Sequence, residues 1–212
     1  MSLTVAKLGG SLADSILRDA WLAAFEAARN PLILVPGGGP FADDVRRAQT
    51  EEGFDDAEAH RRALIAMERF GAVLAAYSDR FALAASRAEI DAALACGRIA
   101  VWLPTAMALA APEIPASWDA TSDTLAAWLA RACGASDLLL VKSCDVVAPV
   151  CLRALAAAKV IDPLFPHFAA LSGARVHIAG PAALLFAKAL LQNGSVPGAV
   201  AAPMKTAGLA SA

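Results

Sequence analysis

The sequence is poor in the features that would direct a protein to nucleic acid, to a membrane or out of the cell. Its 18 basic and 20 acidic side chains leave a formal net charge of -2. That balance supplies no strong field for nonspecific attachment to nucleic acid or an anionic bilayer, and neither partner is expected. The longest uncharged apolar run, residues 99–112, is shorter than the ~20 residues a membrane span needs and contains Pro104. The N-terminus reaches Lys7 without an apolar stretch of signal-peptide form. Cys96, Cys133, Cys144 and Cys151 form no CxxC pair and have no histidines at metal-ligand spacing. Neither a disulfide framework nor a zinc site is indicated, so reduced, mostly structural thiols in the cytoplasm are expected. The GxxxxGK[ST] loop and the HRD and DFG signatures are missing, which disfavours those phosphotransferase classes. There is no internal repeat and no evident His-carboxylate pair.

What the chain has is apolar mass and glycine. With 58% hydrophobic residues among 212, it can build a large core without covalent help, and one domain spanning 1–212 is expected. Short apolar runs at residues 3–6, 31–35, 99–103, 138–141 and 176–179 read as strands covered on both faces. Helical patterns alternate with them: Ile16, Leu17, Trp21, Leu22 and Phe25, with Asp14 placed as cap, then residues 124–132, 152–158 and 182–191. Residues 55–97 read as helical, with Leu64, Met67, Phe70, Leu74 and Tyr77 as the apolar stripe and His60, Arg61, Arg62, Glu68 and Arg69 on the exposed side. This alternation predicts an α/β fold with an open, mostly parallel sheet in an α/β/α sandwich. The Pro-containing stretch 104–118 is the expected break between two lobes.

Two of the predicted strands run into glycine. The first ends in Lys7-Leu8-Gly9-Gly10-Ser11, the second in Pro36-Gly37-Gly38-Gly39-Pro40. A cation, peptides without side chains and a hydroxyl at the carboxyl edge of a sheet suit phosphate: backbone N–H groups approach its oxygens and a lysine neutralises them. Either loop alone would also be read as a tight turn. Two such loops at one edge could face each other across a transferring phosphoryl group.

On these residues the chain resembles the amino acid kinase superfamily, which includes acetylglutamate, uridylate and isopentenyl phosphate kinases. KLGGS is similar to its donor-phosphate loop and VPGGGPFADDVR to its acceptor loop. The resemblance implies that Lys7 bridges donor phosphates, that Gly9, Gly10 and Ser11 surround them, and that Gly37, Gly38 and Gly39 pack against the acceptor. Asp123 matches the aspartate that orients the catalytic lysines, and Asp119, one helical turn earlier, an acceptor-binding position; helix capping is the alternative for both. The stretch from Asp137 to Val147 is similar to the nucleotide strand and loop, which makes Lys142 and Asp145 candidates for the nucleotide, although Cys144 and Val146 depart from the VDGV-like pattern. A second catalytic lysine in a GGMK-like loop is missing. Met204-Lys205-Thr206 echoes it superficially, and Lys142, or failing that Lys159, would have to substitute. Asp162 is either a site residue or a turn former.

Within the superfamily, the short chain and the segment from Ala59 to Met67 look most like the small kinases of methanofuran-type cofactor synthesis, which phosphorylate an aminomethylfuran-methyl phosphate. His60 and Arg61 would then meet an acceptor phosphate, a solvated helix face being the alternative. The resemblance implies ATP and Mg2+, a small-molecule acceptor, and a homo-oligomer in the cytoplasm. Residues 1–118 would form mainly the acceptor side with the donor loop, and 119–212 mainly the nucleotide side. A carboxylate kinase forming an acyl phosphate, and a nucleotide-binding protein without turnover, are the competing readings.

Overall fold

A computed structural model describes residues 2–202. In chain order it runs β1 (Thr4–Leu8), α1 (Ile16–Glu26), β2 (Leu32–Pro36), α2 (Gly39–Glu52), α3 (Asp56–Ala75), β3 (Phe81–Ala84), α4 (Arg87–Ala95), β4 (Ile99–Trp102), α5 (Thr105–Leu109), α6 (Ser122–Cys133), β5 (Asp137–Val141), α7 (Leu152–Ala157), α8 (Phe165–Ser172), β6 (Arg175–Ala179), α9 (Leu184–Gln192) and β7 (Ala199–Val200). Short 3-10 turns at Gly10–Leu12 and Pro181–Ala183 precede α1 and α9.

The strands form one sheet in the order β3-β4-β2-β1-β5-β6-β7, parallel except for β7 against β6. Successive strand residues point to opposite faces, and the core divides accordingly. Val5, Ile33, Val35, Leu138 and Leu140 join α4, α6 and α8 on one face. Ala6, Leu8, Leu34, Leu139 and Val141 join Trp21, Leu22 and Phe25 of α1 and Leu191 of α9 on the other. Trp21 and Phe25 are fully buried, each worth on the order of 2–3 kcal/mol of transfer free energy. The expected α/β/α sandwich with its mostly parallel sheet is the observed architecture.

Local departures have local causes. Ser15 rather than Asp14 caps α1, its Oγ accepting from Leu17 N at 3.2 Å, and Asp14 stays exposed. The stretch 55–97 is not one helical region: α3 stops at Ala75, so Tyr77 lies beyond it, and β3 intervenes before α4. β3 alternates as an edge strand, with Phe81 and Ala84 buried and Leu83 exposed, which a helical template absorbs easily in so alanine-rich a sequence. Residues 104–118 link the part that carries β1–β4 to the part that carries β5–β7, and one continuous sheet runs through both. All four cysteines are free; only Cys133 is buried, and the exposed Cys96, Cys144 and Cys151 are not structural. No helix of the described residues is long and apolar enough to cross a membrane. Met204-Lys205-Thr206 lies outside the described residues.

Candidate functional site

Strand alternation delivers two cations to one place. Val5 of β1 points into the α6 face, so Lys7 follows it two residues on. Leu138 and Leu140 of β5 do the same, so Lys142 leaves the strand on that face too. Above them α6 starts at Ser122, which puts Asp123 in its first turn. Lys7 Nζ lies 2.9 Å from Asp123 Oδ1, and Lys142 Nζ lies 2.5 Å from Oδ2. Each oxygen of the carboxylate thus meets one ammonium group, and Lys142 donates a hydrogen bond to Oδ2. The carboxylate is 3% exposed and the lysine side chains 7% and 12%.

Burial alone would raise the Asp123 pKa, but the two ammonium groups outweigh it and hold the carboxyl below its ordinary 3.8. Lys142 is pushed below 10.5, first by burial and then by the charge of Lys7, against the pull of Asp123. Asp123 and the neighbouring Asp162 both favour the charged form of Lys142 and so work against that burial. An entering oligophosphate would add negative charge beside both ammonium groups. Asp162 completes the frame. Its carboxylate accepts from Thr121 N (2.8 Å), Thr121 Oγ1 (2.6 Å) and Thr124 N (3.0 Å), capping α6 from across the fold, while its own N–H donates to Asp123 Oδ2 at 3.3 Å. Burial and the Asp123 charge push its pKa up.

The glycine loops meet beside this cluster. Gly9 N donates to Val141 O (3.1 Å) and Gly37 N to Leu8 O (2.9 Å), which pins each loop to its neighbouring strand. A Cβ on Gly10 would lie 2.2 Å from Gly39 N, and one on Gly37 2.2 Å from Gly10 N. The loops touch backbone to backbone, an approach open only to glycine. The N–H groups of Gly10 and Ser11 have no acceptor among the described residues, and the N-terminus of α2 opens at Gly38 and Gly39. A Cβ on Gly9 would lie 3.0 Å from Val141 O and 3.8 Å from Lys7 Nζ. Free donors, absent side chains and two adjacent ammonium groups fit the phosphates of a nucleotide.

A cavity of about 470 Å³ opens between these loops, α2, α3 and the segment before α6, within the range of small-molecule sites. Among its walls are Ser11, Gly38, Arg46, His60, Met67 and Trp118. His60 is half-buried, which pushes its pKa below 6.5. Of the sequence candidates, Gly10, Ser11, Gly38, Gly39 and His60 line this cavity, and Gly37 supports it. Arg61 is not among its lining residues: it is exposed, and its Nε and Nη2 donate to Glu58 at 2.8 and 2.7 Å. Arg61 and Arg62 hold the Glu58 carboxyl down to about 2. Asp119 precedes α6 instead of lying one helical turn earlier within it, and is exposed; its carbonyl accepts from Leu164 N. Asp145 is likewise exposed, and its Oδ1 accepts from Ala182 N at 2.9 Å, tying the loop after β5 to the 3-10 turn after β6. Arg46, Trp118 and the capping by Asp162 went unassigned in the sequence, where only helix-mates of the second glycine loop and an isolated aromatic could have signalled them.

A model described as the amino acid kinase family matches residues 2–148. A [5-(aminomethyl)furan-3-yl]methyl phosphate kinase of Methanocaldococcus jannaschii is 27% identical over 150 residues, 66% of this chain and 66% of that one. Uridylate kinase from Archaeoglobus fulgidus superposes with a TM-score of 0.67 at 18% identity, over 95% of this chain and 100% of that one. Aspartate kinase from Synechocystis gives a TM-score of 0.65 at 17% identity, over 99% of this chain and 41% of that one. The two superpositions establish the fold.

Proposed function

Because the chain belongs to the amino acid kinase family, we propose that, as a kinase of that family, it transfers the γ phosphoryl group of Mg-ATP to a small acceptor already bearing phosphate. The observation that carries this reading is the buried Lys7–Asp123–Lys142 cluster beside two glycine loops in backbone contact. Lys7, Lys142 and the N–H groups of Gly10 and Ser11 hold the donor phosphates and stabilise the charge that spreads over the transferring group. Asp123, locked by the frame around Asp162, fixes the separation of the two ammonium groups. Lys142 thereby takes the role for which a GGMK-like loop lysine is missing. Mg2+, bound to the triphosphate, would supply neutralisation of the phosphate oxygens that Lys7, Lys142 and the glycine-loop N–H groups hold.

The acceptor occupies the cavity against Gly37, Gly38, Gly39 and His60. Its ionised phosphate oxygen attacks the γ phosphorus, ADP leaves, and a diphosphate is formed without a covalent enzyme intermediate. An acceptor already ionised as phosphate requires no strong general base, in keeping with a half-buried His60 whose pKa is lowered. The activity for which the Methanocaldococcus jannaschii relative is named supports [5-(aminomethyl)furan-3-yl]methyl phosphate as that acceptor. Residues 1–118 contribute most of the acceptor side, joined by the start of α6, and 119–212 most of the nucleotide side. We extend the proposal to a homo-oligomer working in the cytoplasm.

The test is ADP release with two acceptor classes in the presence of hydroxylamine. This furan phosphate should release ADP and form no hydroxamate. ADP release with hydroxamate from a glutamate-like acid, and none from the furan phosphate, would return the protein to the carboxylate kinases.

A further inference from the structure

The cavity contains a cation, Arg46 at the end of the VPGGGPFADDVR segment, and an aromatic ring, Trp118, to which no role has yet been given. The guanidinium of Arg46, on α2 seven residues beyond Gly39, lies 4.3 Å from the centroid of the Trp118 ring, and both side chains line the cavity. Trp118 belongs to the segment before α6, and its Nε1 donates to Gln49 Oε1 at 2.7 Å. Gln49 is itself held through Nε2 by Asp56 Oδ1 (2.9 Å) and Phe54 O (3.4 Å). The indole is therefore anchored from two helices, and it restricts the plane in which the guanidinium can lie.

Charge accounting over the cavity wall then singles out one residue. Among the described lining residues Arg46 is the sole permanent cation, because no lysine is present and burial pushes His60 toward its neutral form near pH 7. Asp14, Asp43 and Asp56 line the same cavity, so an anionic acceptor needs a specific cation to be held there at all. Arg61, the sequence candidate for that task, is not among the residues that line the cavity. Arg46 has a partner of its own, Asp43 Oδ1 at 3.0 Å, but that pair is an i,i+3 contact with side chains 49% and 73% exposed. Such pairs are weak and exchange readily for a better anion.

We infer that Arg46 is the specificity-determining residue for the phosphate the acceptor already carries, and that Trp118 is the positioning residue that presents it. This rests on the proposed reading of the site as a phosphate-acceptor kinase. On acceptor binding, the guanidinium releases Asp43 and turns its N–H edge to the phosphate while its face stays on the indole, the geometry in which arginine is not replaceable by lysine.

The experiment measures ADP release with [5-(aminomethyl)furan-3-yl]methyl phosphate as probe, varying acceptor and ATP separately. Arg46→Gln, which keeps a polar group on a shorter stem and loses the charge, should raise the acceptor KM about 10- to 100-fold, the range for loss of a charge-assisted hydrogen bond, with the ATP KM unchanged. Arg46→Lys should recover only a fraction of the loss. Trp118→Ala should raise the acceptor KM with kcat retained, and Trp118→Phe, which keeps a ring under the guanidinium, should lie between it and wild type. Thermal melting of each variant at the wild-type temperature identifies a folded protein, and the conservative Arg46→Lys and Trp118→Phe carry the test if the others fail to fold. Active wild type with Arg46→Gln and Arg46→Lys at the wild-type acceptor KM overturns the assignment of Arg46 and leaves the kinase reading standing. Wild type inactive with the probe overturns both.

Discussion

Lys142 donates to Oδ2 of Asp123 at 2.5 Å, on the carboxylate whose other oxygen faces Lys7. A lysine closing a β-strand is ordinarily solvated, and this one is nearly buried because strand parity turns it to the covered face of the sheet. The pair gives the site both its second cation and its pH dependence.

The folded-state pKa of Lys142 is lowered from 10.5 by burial and by Lys7, so the ammonium is lost at a pH below that value. On the alkaline side, kcat/KM for ATP should therefore fall through a pKa under 10.5 in the wild type, since this parameter reports the free enzyme. Lys142→Arg, which does not titrate in that range, should move the fall to higher pH even if its maximum rate is lower. An alkaline limb identical in wild type and Lys142→Arg would assign the titration elsewhere.

Lys7→Ala should leave the fold intact, because Asp123 keeps Lys142 and the frame around Asp162. Turnover should drop at least ~100-fold, the scale for removing one preorganised group that stabilises transition-state charge. Circular dichroism together with steady-state kinetics checks both halves.

At Gly10 the loops leave no space for a methyl group: its Cβ would fall 2.2 Å from one backbone nitrogen and 2.7 Å from the Cα of Gly39. Gly10→Ala should push the loops apart, cost about 1–3 kcal/mol as overpacking does, and abolish transfer. Gly97→Ala is the control, since nothing lies within 4 Å of that position and only its φ of +70° opposes the change. Urea denaturation of the two variants separates collision between loops from backbone strain.

Much of this architecture was legible because it rests on period and punctuation. Apolar runs at 3–6, 31–35 and 138–141, each leading into glycine or lysine, defined the central strands, and parity along them was enough to bring Lys7 and Lys142 to one face. β3 was not legible: four residues of which only two are buried carry too little pattern against a helical alanine background. The acceptor wall was only half legible. His60 and Arg61 are adjacent in sequence, but successive helix positions diverge by about 100°, so one enters the cavity and the other meets Glu58. Trp118 comes from a segment without regular structure, and its contact with Arg46 depends on a chain separation that no local pattern encodes.

The divergence of His60 and Arg61 is itself testable. Arg61→Ala should leave the acceptor KM within about twofold of wild type, as expected for an exposed side chain paired away from the site. His60→Ala should raise it. Equal losses in the two variants would place Arg61 at the acceptor after all.

The central claim is that the lysine pair on Asp123 drives phosphoryl transfer onto a phosphate. Phosphorus-31 NMR of the protein with Mg-ATP and [5-(aminomethyl)furan-3-yl]methyl phosphate tests it most directly. The account predicts that ATP is converted to ADP one for one with a new diphosphate signal in the wild type, and that Lys7→Ala yields neither on the same time scale. ATP that stays intact in the wild type, or diphosphate formed as fast by Lys7→Ala, would contradict it.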